Sequence, residues 1–417
     1  MAATSHVATP ERHDRSLDLV GHVFGRITLV LLLVLTGVAA WFRQPAIVTL
    51  LGLTLATVGV SRAWSRLSLR RVRCERSLST RSLFPGEELL VTTRLSNQKL
   101  LPLPWVEVSQ PVPPRLLSGD TGGNADESAL SRSLSMPWYS RLTWRETIVP
   151  HHRGYYIIPP LTVASGDILG LYPRIMDAAT SEEVVVYPHL YPVRRLPLQK
   201  ADATGDLNGR LSLYEDPTRM RGIRDYQPGD GMRRIHWKAS ARHGDLKVRL
   251  YEPSALSRVT LVLSADSFDE FTGDEPFELA ASAVASTGCY CLEHQMQVGF
   301  VSNASLVAAR GAARLAPGSG NVHLVALLEL LARATPSPDA SFDLLGDELR
   351  RLALSGSGLI VVVGRMRDRH IEGFTHLAAK RCPLLVLEVG DAPARPNMPF
   401  PHRRLRTPDD LADMGGA

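Results

Sequence analysis

The densest group of reactive side chains lies between Tyr226 and Lys238, where the sequence reads YQPGDGMRRIHWK. Asp230 and His236 are the side chains in this segment that could move a proton to or from a substrate. A catalytic interpretation makes His236 the base and Asp230 the group that orients it, in a hydrolase acting on a phosphate-containing substrate. Residues six positions apart on one turn and helix do not face each other reliably, and no nucleophile motif or glycine-rich phosphate loop accompanies them. Catalysis is therefore the weaker interpretation.

The same segment also carries the side chains for a non-catalytic role. Arginine forks and helix starts both favour phosphate or carboxylate groups, so a site for an anion or an acidic partner is one interpretation. The other is a buried polar brace, in which Asp225 and Asp230 pair with Arg224, Arg233 or Arg242 while Trp237 packs against a neighbouring domain. Both stay open. The binding or interface candidates are Arg224, Tyr226, Gly229, Asp230, Arg233, Arg234, Trp237, Lys238 and Arg242.

A turn, a helix and a strand are predicted to position these side chains. Gly229 suits a type II turn after Pro228, and Asp230 is placed to cap a helix over 232–242. Gly244 fits the left-handed position just past the end of that helix, and a half-buried strand is predicted over 246–252. Cations that recur every fourth residue along the helix form a basic stripe: Arg234, Lys238 and Arg242.

The C-terminal part of the sequence alternates between apolar strands and helices. The predicted strands are 259–263, 297–301, 359–363 and 384–388, and the predicted helices are 276–294, 321–334, 342–354 and 370–380. This alternation indicates a doubly wound α/β domain over 253–392, with a parallel sheet covered on both faces. Residues 393–417 are predicted to be a C-terminal tail of loop, since the segment is rich in proline.

The middle of the chain, 65–199, reads as short strands separated by turns. Strands are predicted at 89–96, 105–108, 154–158, 161–163 and 184–187, and the polar segment 117–135 is predicted to be an exposed loop. Such spacing indicates an antiparallel β-sandwich-like domain. Residues 200–252 are interpreted as a polar linker followed by the turn-helix-strand motif.

Two uncharged apolar runs, 27–42 and 44–61, stand near the N-terminus. We interpret 27–64 as a transmembrane helical hairpin after a cytoplasmic tail over 1–26. Arginines cluster at both outer ends, so the positive-inside rule places the protein in the bacterial cytoplasmic membrane as a two-pass protein, with its soluble domains in the cytoplasm. A cleaved signal peptide and a buried core hairpin are the two alternatives.

The bulk composition bounds these interpretations. A chain of 417 residues with 44% apolar and 21% charged residues is a folded protein of several domains, and the sequence gives no sign of global disorder. Four cysteines make no disulfide framework at this length and indicate a reducing compartment. The net charge of +5 is modest and no basic repeat is interleaved with aromatic residues, so no nucleic acid is expected as a partner, although the lipid bilayer is.

The central motif closely resembles the hallmark of the bacterial family called domain of unknown function 58. In that family a Tyr-x-Pro-Gly-Asp run leads into Arg-x-Ile-x-Trp-Lys and then an Ala-Arg pair. The matching residues here are Tyr226, Pro228, Gly229, Asp230, Arg233 or Arg234, Ile235, His236, Trp237, Lys238, Ala241 and Arg242. The segments 153–155, 166–171 and 185–188 look like further landmarks of the family.

The resemblance implies a membrane-anchored protein whose C-terminal part is similar to a von Willebrand factor type A domain. It also implies a setting beside MoxR-type AAA+ ATPases and transglutaminase-like membrane proteins. We therefore expect a non-enzymatic adaptor or substrate-presenting partner of a MoxR-type ATPase, working in complex assembly or cell-envelope maturation, and regard the hydrolase as the alternative.

One departure from type A domains concerns the metal that they often bind through Asp-x-Ser-x-Ser at the end of the first strand. Here that strand is followed by Ser264, where the first aspartate is expected, and by Phe268, where the last serine should be. Asp266 alone does not supply the oxygen ligands that a hard cation needs, and the segment 364–368 does not repair the site. We expect neither a metal nor a cofactor.

Overall fold

The structure is a computed structural model that describes most of the chain. The described residues are 26–117, 129–194, 196, 215–227, 235–253, 258–268, 274–309, 313–337, 340–354, 357–380, 382–391 and 398–412. The chain divides into two compact units, Met1–Val186 and Tyr187–Ala417. We refer to them as the first and the second unit.

The described part of the first unit starts with two apolar helices, α1 (Arg26–Trp41) and α2 (Pro45–Ser68). Proline is tolerated at the start of α2, where the missing N–H has no helical partner to lose. By length and composition α2 could cross a membrane, whereas the apolar part of α1 is shorter. Many of their apolar side chains face outward, and Trp41 is 85% exposed. This is weak support for membrane association; the two-pass topology and the cytoplasmic orientation stay predictions.

Ten strands follow α2 among the described residues of the first unit. They are β1 (Val72–Leu78), β2 (Ser82–Leu83), β3 (Leu89–Asn97), β4 (Leu103–Pro111), β5 (Ala129–Met136), β6 (Arg141–Ile148), β7 (Gly154–Ile158), β8 (Leu161–Ser165), β9 (Arg174–Ala178) and β10 (Glu182–Val186), with a short helix α3 (Pro114–Leu117) after β4. They form three sheets in the orders β1-β3-β6, β2-β10-β7 and β5-β4-β8-β9. Every pairing is antiparallel except that of β2 with β10.

The sheets of the first unit share two apolar cores. Leu95 of β3 packs in one cluster with Val106 of β4 and Leu161 of β8, so two sheets bury their inner faces together. The prediction of a loop over 117–135 is wrong for its last part, because Ala129–Met136 is strand β5, paired with β4. Half of that stretch is polar, because it is an outer strand of its sheet and its three serines and Arg132 are exposed to water.

The second unit contains a hairpin, a short helix and an α/β layer structure. Its further strands are β11 (Glu215–Asp225), β12 (Lys247–Pro253), β13 (Arg258–Ser264), β14 (Gln297–Ser302), β15 (Ser305–Leu306), β16 (Ala313–Gly318), β17 (Ala334–Thr335), β18 (Gly358–Val363), β19 (Leu384–Val389) and β20 (His402–Leu405). Its helices are α4 (Trp237–His243), α5 (Glu275–Glu293), α6 (Asn321–Arg333), α7 (Phe342–Leu354), α8 (Asp368–Ala379) and α9 (Asp409–Ala412).

Six of these strands form one sheet in the order β16-β14-β13-β18-β19-β20. Strands β14, β13, β18, β19 and β20 run parallel, and β16 is antiparallel at one edge. Val262 of β13 packs on the face covered by Phe342 of α7 and Phe374 of α8. On the opposite face, a Cβ at Gly288 of α5 would lie 3.1 Å from Leu261 Cδ1 and 2.6 Å from a methyl of α6, so glycine permits this close helix packing.

Two details of this unit differ from the expectation. The tail predicted for 393–417 contains β20, which pairs with β19, and the short helix α9. The sequence pattern missed β20 because His402, Arg403 and Arg404 are only partly buried at the sheet edge and lack an apolar run. The sheet is also not wholly parallel, because β16 closes its other edge. The likeness to a von Willebrand factor type A domain stays a prediction.

Candidate functional site

The central motif lies on the hairpin of β11 and β12 and on helix α4. The helix predicted over 232–242 is wrong at its start, because α4 begins at Trp237. The preceding residue pair is extended: Ile235 forms a β-bridge with Val248, and the His236 N–H donates to the Lys247 carbonyl at 2.8 Å. Pairing with β12 therefore keeps Ile235 and His236 out of the helix.

The cap of α4 is His236, not Asp230 as predicted. The His236 Nδ1 atom accepts the Ala239 N–H at 3.1 Å, which satisfies one of the free donors in the first helical turn. Ser240 adds a second tie, since its Oγ accepts the Lys247 N–H at 2.9 Å and donates to the His236 carbonyl. The predicted left-handed residue after the helix is confirmed: Gly244 has φ 78°. These bonds lock α4 onto β12.

Helix α4 has a buried side and an exposed side. Ile235, Ala239 and Val248 are buried beneath it. Trp237 is 62% exposed, and Lys238 and Arg242 are exposed one turn apart beside it. We call Trp237, Lys238 and Arg242 the α4 surface. Trp237 is exposed, not packed as the brace interpretation expects, and of the predicted basic stripe α4 carries Lys238 and Arg242, while Arg234 lies outside the described residues.

The hairpin contributes the remaining described candidates. Arg224 is half-buried and donates to the Asp225 carbonyl at 3.0 Å, and the Tyr226 N–H donates to the Leu246 carbonyl at 2.9 Å. Asp225 forms an ion pair with Lys247, its neighbour across the two strands. Part of the brace interpretation therefore has a counterpart here, with a lysine as a partner of the aspartate.

Four candidate residues lie outside the described residues: Gly229, Asp230, Arg233 and Arg234. The proposed catalytic pair of Asp230 and His236 therefore has no measured geometry. On the described side of that pair, the Nδ1 atom of His236 already accepts the Ala239 N–H. This leaves Nε2 as the ring nitrogen that a substrate could use.

A second polar cluster, which the sequence interpretation did not assemble, lies at the carboxyl ends of the parallel strands. Asp266, in the turn after β13, is fully buried and accepts four hydrogen bonds. Its Oδ1 accepts from Ser264 Oγ at 2.6 Å and from Asn303 Nδ2 at 2.8 Å. Its Oδ2 accepts from Arg369 at 2.6 Å and from His370 Nε2 at 2.9 Å.

The electrostatics of this cluster favour the aspartate anion. Burial raises the pKa of Asp266, but hydrogen bonds from His370, Ser264 and Asn303 outweigh it and hold the pKa well below its usual value. His370 is itself fully buried, and its Nδ1 accepts the Arg367 N–H, which places the ring proton on Nε2. Residues just past the ends of parallel strands are expected to meet in this way, which was the signal available in the sequence.

These residues do not fit the divalent cation that a type A resemblance implies. Each oxygen of Asp266 already accepts hydrogen bonds from two donors, and one of the two donors to Oδ2 is the guanidinium of Arg369. Lone pairs used in this way are not available to a hard cation. Among the described residues, no group of three or more His, Cys, Asp or Glu is placed to hold a metal ion.

Comparison with known proteins supports the resemblance over the second unit. Residues 222–400 match the family described as "Protein of unknown function DUF58". The "Uncharacterized protein YeaD" of Bacillus subtilis (strain 168) is 27% identical over 207 residues, which cover 48% of this chain and 50% of that protein. The chain thus matches about half the length of this curated relative. Neither description states a reaction or a partner.

Solved structures give only low-scoring matches. The CARDB domain of the PF1109 protein from Pyrococcus furiosus is 8% identical with a TM-score of 0.19, covering 28% of this chain and 91% of that one. A non-cellulosomal cohesin from Archaeoglobus fulgidus is 12% identical with a TM-score of 0.19, covering 27% and 91%. At these scores the matches support no conclusion on fold or function.

Proposed function

We propose that this chain is a membrane-anchored interaction protein, an adaptor or substrate-presenting partner of a MoxR-type AAA+ ATPase. The observation that carries the proposal is the exposed Trp237 beside two exposed cations on a helix that is hydrogen-bonded to β12. Tryptophan and arginine are among the side chains most often found at the energetic centre of protein interfaces. A large aromatic side chain that is exposed in the monomer gains no free energy from burial until a partner covers it. The surface suits a partner with an apolar pocket rimmed by carboxylates.

The rigidity of α4 supports this role. Ser240 and His236 tie the helix to β12, so the α4 surface is held in one orientation before a partner arrives. Preorganisation of this kind reduces the entropy lost on binding. Roles in complex assembly or cell-envelope maturation, with a transglutaminase-like membrane protein as a further partner, follow from the family resemblance. The hydrolase alternative is weaker, because the Nδ1 atom of its proposed base is engaged in capping α4.

The test is binding of the full-length chain in lipid nanodiscs to the purified MoxR-type ATPase of the same organism. Trp237→Ala is expected to weaken the affinity about 30-fold, the effect of an interface hot spot of about 2 kcal/mol. Trp138→Ala is the matched control, because Trp138 is 61% exposed but lies in the first unit. Equal affinity for all three proteins, or no binding by the wild type, overturns the proposal.

A further inference from the structure

The most exposed large apolar side chains of the strand region of the first unit are gathered in three loops. Among the described residues of 72–186, the five largest exposed fractions, from 56% to 72%, belong to Leu100, Trp138, Tyr139, Ile168 and Leu169. We call these five side chains the apolar rim. A soluble surface rarely concentrates large apolar groups without a partner.

Two of the loops are fastened to the C-terminal end of α2. The buried Lys99 ammonium donates to the carbonyls of Leu67, Ser68 and Arg70, at and just past the end of α2. The Tyr139 N–H donates to the Lys99 carbonyl at 3.2 Å, which joins the second loop to the first. The Asn97 amide also bridges both loops, donating to the carbonyls of residues 101 and 137.

The third loop reaches further along α2. The Tyr172 carbonyl accepts from Ser65 Oγ at 2.6 Å, and the Arg62 guanidinium lies 5.8 Å from the centre of the Tyr172 ring. Arg62 stands six residues before the end of α2, or about 9 Å along the axis at the helical rise per residue. The uncharged part of α2 ends at Arg62. Tyr172 therefore lies at the level where a spanning helix would leave the hydrocarbon.

This loop is held open by an internal carboxylate. Asp167, which is buried, accepts the N–H groups of Leu169 and Tyr172 at 3.2 and 2.8 Å. The carboxylate of Asp167 accepts its hydrogen bonds from within the loop, while Ile168 and Leu169 point outward at the tip, 64% and 56% exposed. A rigid loop that presents apolar side chains is suited to insertion into an apolar layer.

The charged residues at the end of α2 are all cationic. Between residues 61 and 74 the sequence contains arginines and no acidic residue: Arg62, Arg66, Arg70, Arg71 and Arg73. Cations beside a membrane helix attract the phosphates of anionic lipids, at about 1 kcal/mol for each one near the surface. Aromatic side chains such as tryptophan and tyrosine prefer the same headgroup layer.

We propose that the apolar rim inserts into the headgroup layer of the bilayer that holds α2, with the neighbouring arginines binding phosphates of anionic lipids. The first unit would then rest on the membrane surface by its loops and not only hang from α2. This inference rests on the membrane anchoring contained in the proposed function. Its occupant is a lipid surface because the loops are fastened to the helix proposed to enter the membrane, beside the arginines at the end of that helix.

The experiment uses the full-length chain in vesicles of equal parts phosphatidylcholine and phosphatidylglycerol, with and without lipids brominated near the headgroup. Bromine quenches the emission of nearby tryptophan. The difference in emission between the wild type and Trp138→Phe therefore reports the lipid contact of Trp138 alone. We expect that this emission is quenched by bromolipid and protected from iodide in the water. Trp237→Phe is the matched control. The emission of Trp237, obtained as the difference between the wild type and this variant, should be quenched by iodide and not by bromolipid.

The outcomes separate the two proposals. Flotation with the vesicles in strong salt tests anchoring, and a chain that does not float removes the proposed anchoring and the rim with it. A chain that floats, but whose Trp138 emission is quenched by iodide as readily as that of Trp237, keeps its anchor and overturns the rim. The same iodide result in vesicles of phosphatidylcholine alone, with lipid quenching in the mixed vesicles, assigns the contact to the anionic lipid.

Discussion

Two tryptophans with almost the same exposure stand in different chemical surroundings. Trp138 is 61% exposed in the first unit and shares its surface with Tyr139 and Leu100, whereas Trp237 is 62% exposed in the second unit beside Lys238 and Arg242. The exposed fraction alone therefore does not distinguish a lipid contact from a protein contact. The neighbouring side chains do, because an apolar group of loops suits lipid, and a lone aromatic ring among cations suits an acidic partner.

The two units also differ in how they hold a buried charge. In the first unit, Lys99 donates to three backbone carbonyls, which are groups that every residue type has. In the second unit, Asp266 accepts from four side chains, which lie at the end of β13, after β14 and on α8. The first arrangement fastens a loop to a helix end, and the second depends on the whole edge of the sheet. The predictions below separate these cases, from the largest effect to the smallest.

Asp266→Ala is expected to cost the second unit about 3–5 kcal/mol of unfolding free energy, because His370 and Asn303 keep buried donors without an acceptor. Hydrogen exchange of peptides from β13 and β18 in the full-length protein measures the loss locally. Asp347→Ala is the control, since Asp347 pairs with Arg350 on the exposed side of α7 and should cost little. Unchanged protection of β13 would show that the cluster is not holding the sheet edge.

Acid should remove part of the same stabilisation. The pKa of Asp266 in the folded chain is lower than its ordinary value of 3.8. As the pH falls below 3.8, the unfolded chain therefore binds more protons than the folded chain does. Stability from this group is fully present above that pH and declines below it. The free energy of unfolding of the second unit, measured in urea, should therefore fall more steeply with acid in the wild type than in Asp266→Asn. Parallel pH profiles for the two proteins would contradict this.

Lys99→Met keeps an apolar stem but removes the donors to the carbonyls at the end of α2. We expect a loss of about 2 kcal/mol in the first unit, since buried carbonyls lose a charged hydrogen-bond partner. Protection of the peptides around β1 and β3 measures it, and Lys380→Met is the control because Lys380 is exposed at the end of α8. If the loops keep their position, the emission of Trp138 in vesicles stays unchanged, which would mean that Lys99 does not position the rim.

Exchanging the test and control tryptophans gives the sharpest comparison. Trp237→Ala should reduce ATPase affinity about 30-fold and leave lipid contact of the rim intact, whereas Trp138→Ala should do the opposite. Binding assays and bromolipid quenching on the same two nanodisc-bound variants check both halves. A variant that impaired both properties would indicate one shared surface and remove the distinction.

Ser240→Ala is expected to have the smallest effect, about 1 kcal/mol, since it removes one hydroxyl that accepts the Lys247 N–H and donates to the His236 carbonyl. Faster exchange of the amides in α4 and β12 would report it. Ser133→Ala, at an exposed serine of the edge strand β5, is the comparison. ATPase affinity should fall with the same variant if the fixed orientation of α4 matters for binding.

The sequence by itself determined the elements whose signal is local. The apolar runs of α2, β13 and β18 and the glycine at 244 specify their structures without reference to distant residues, because hydrophobic period and backbone sterics act over a few positions. The resemblance to the DUF58 family likewise came from one contiguous motif, and residues 222–400 match that family. The function stays a proposal, since neither motif nor match names a reaction.

Only the tertiary structure decided which residues meet. A bridge from Ile235 to Val248 moved the start of α4 to Trp237, and pairing with β19 turned the tail at 402–405 into a strand. Asp266 and His370 are 104 positions apart yet share a hydrogen bond. Such contacts depend on how strands pair and helices cross, which is a property of the whole fold, so no local pattern could predict that four donors would saturate the one aspartate expected to bind metal poorly.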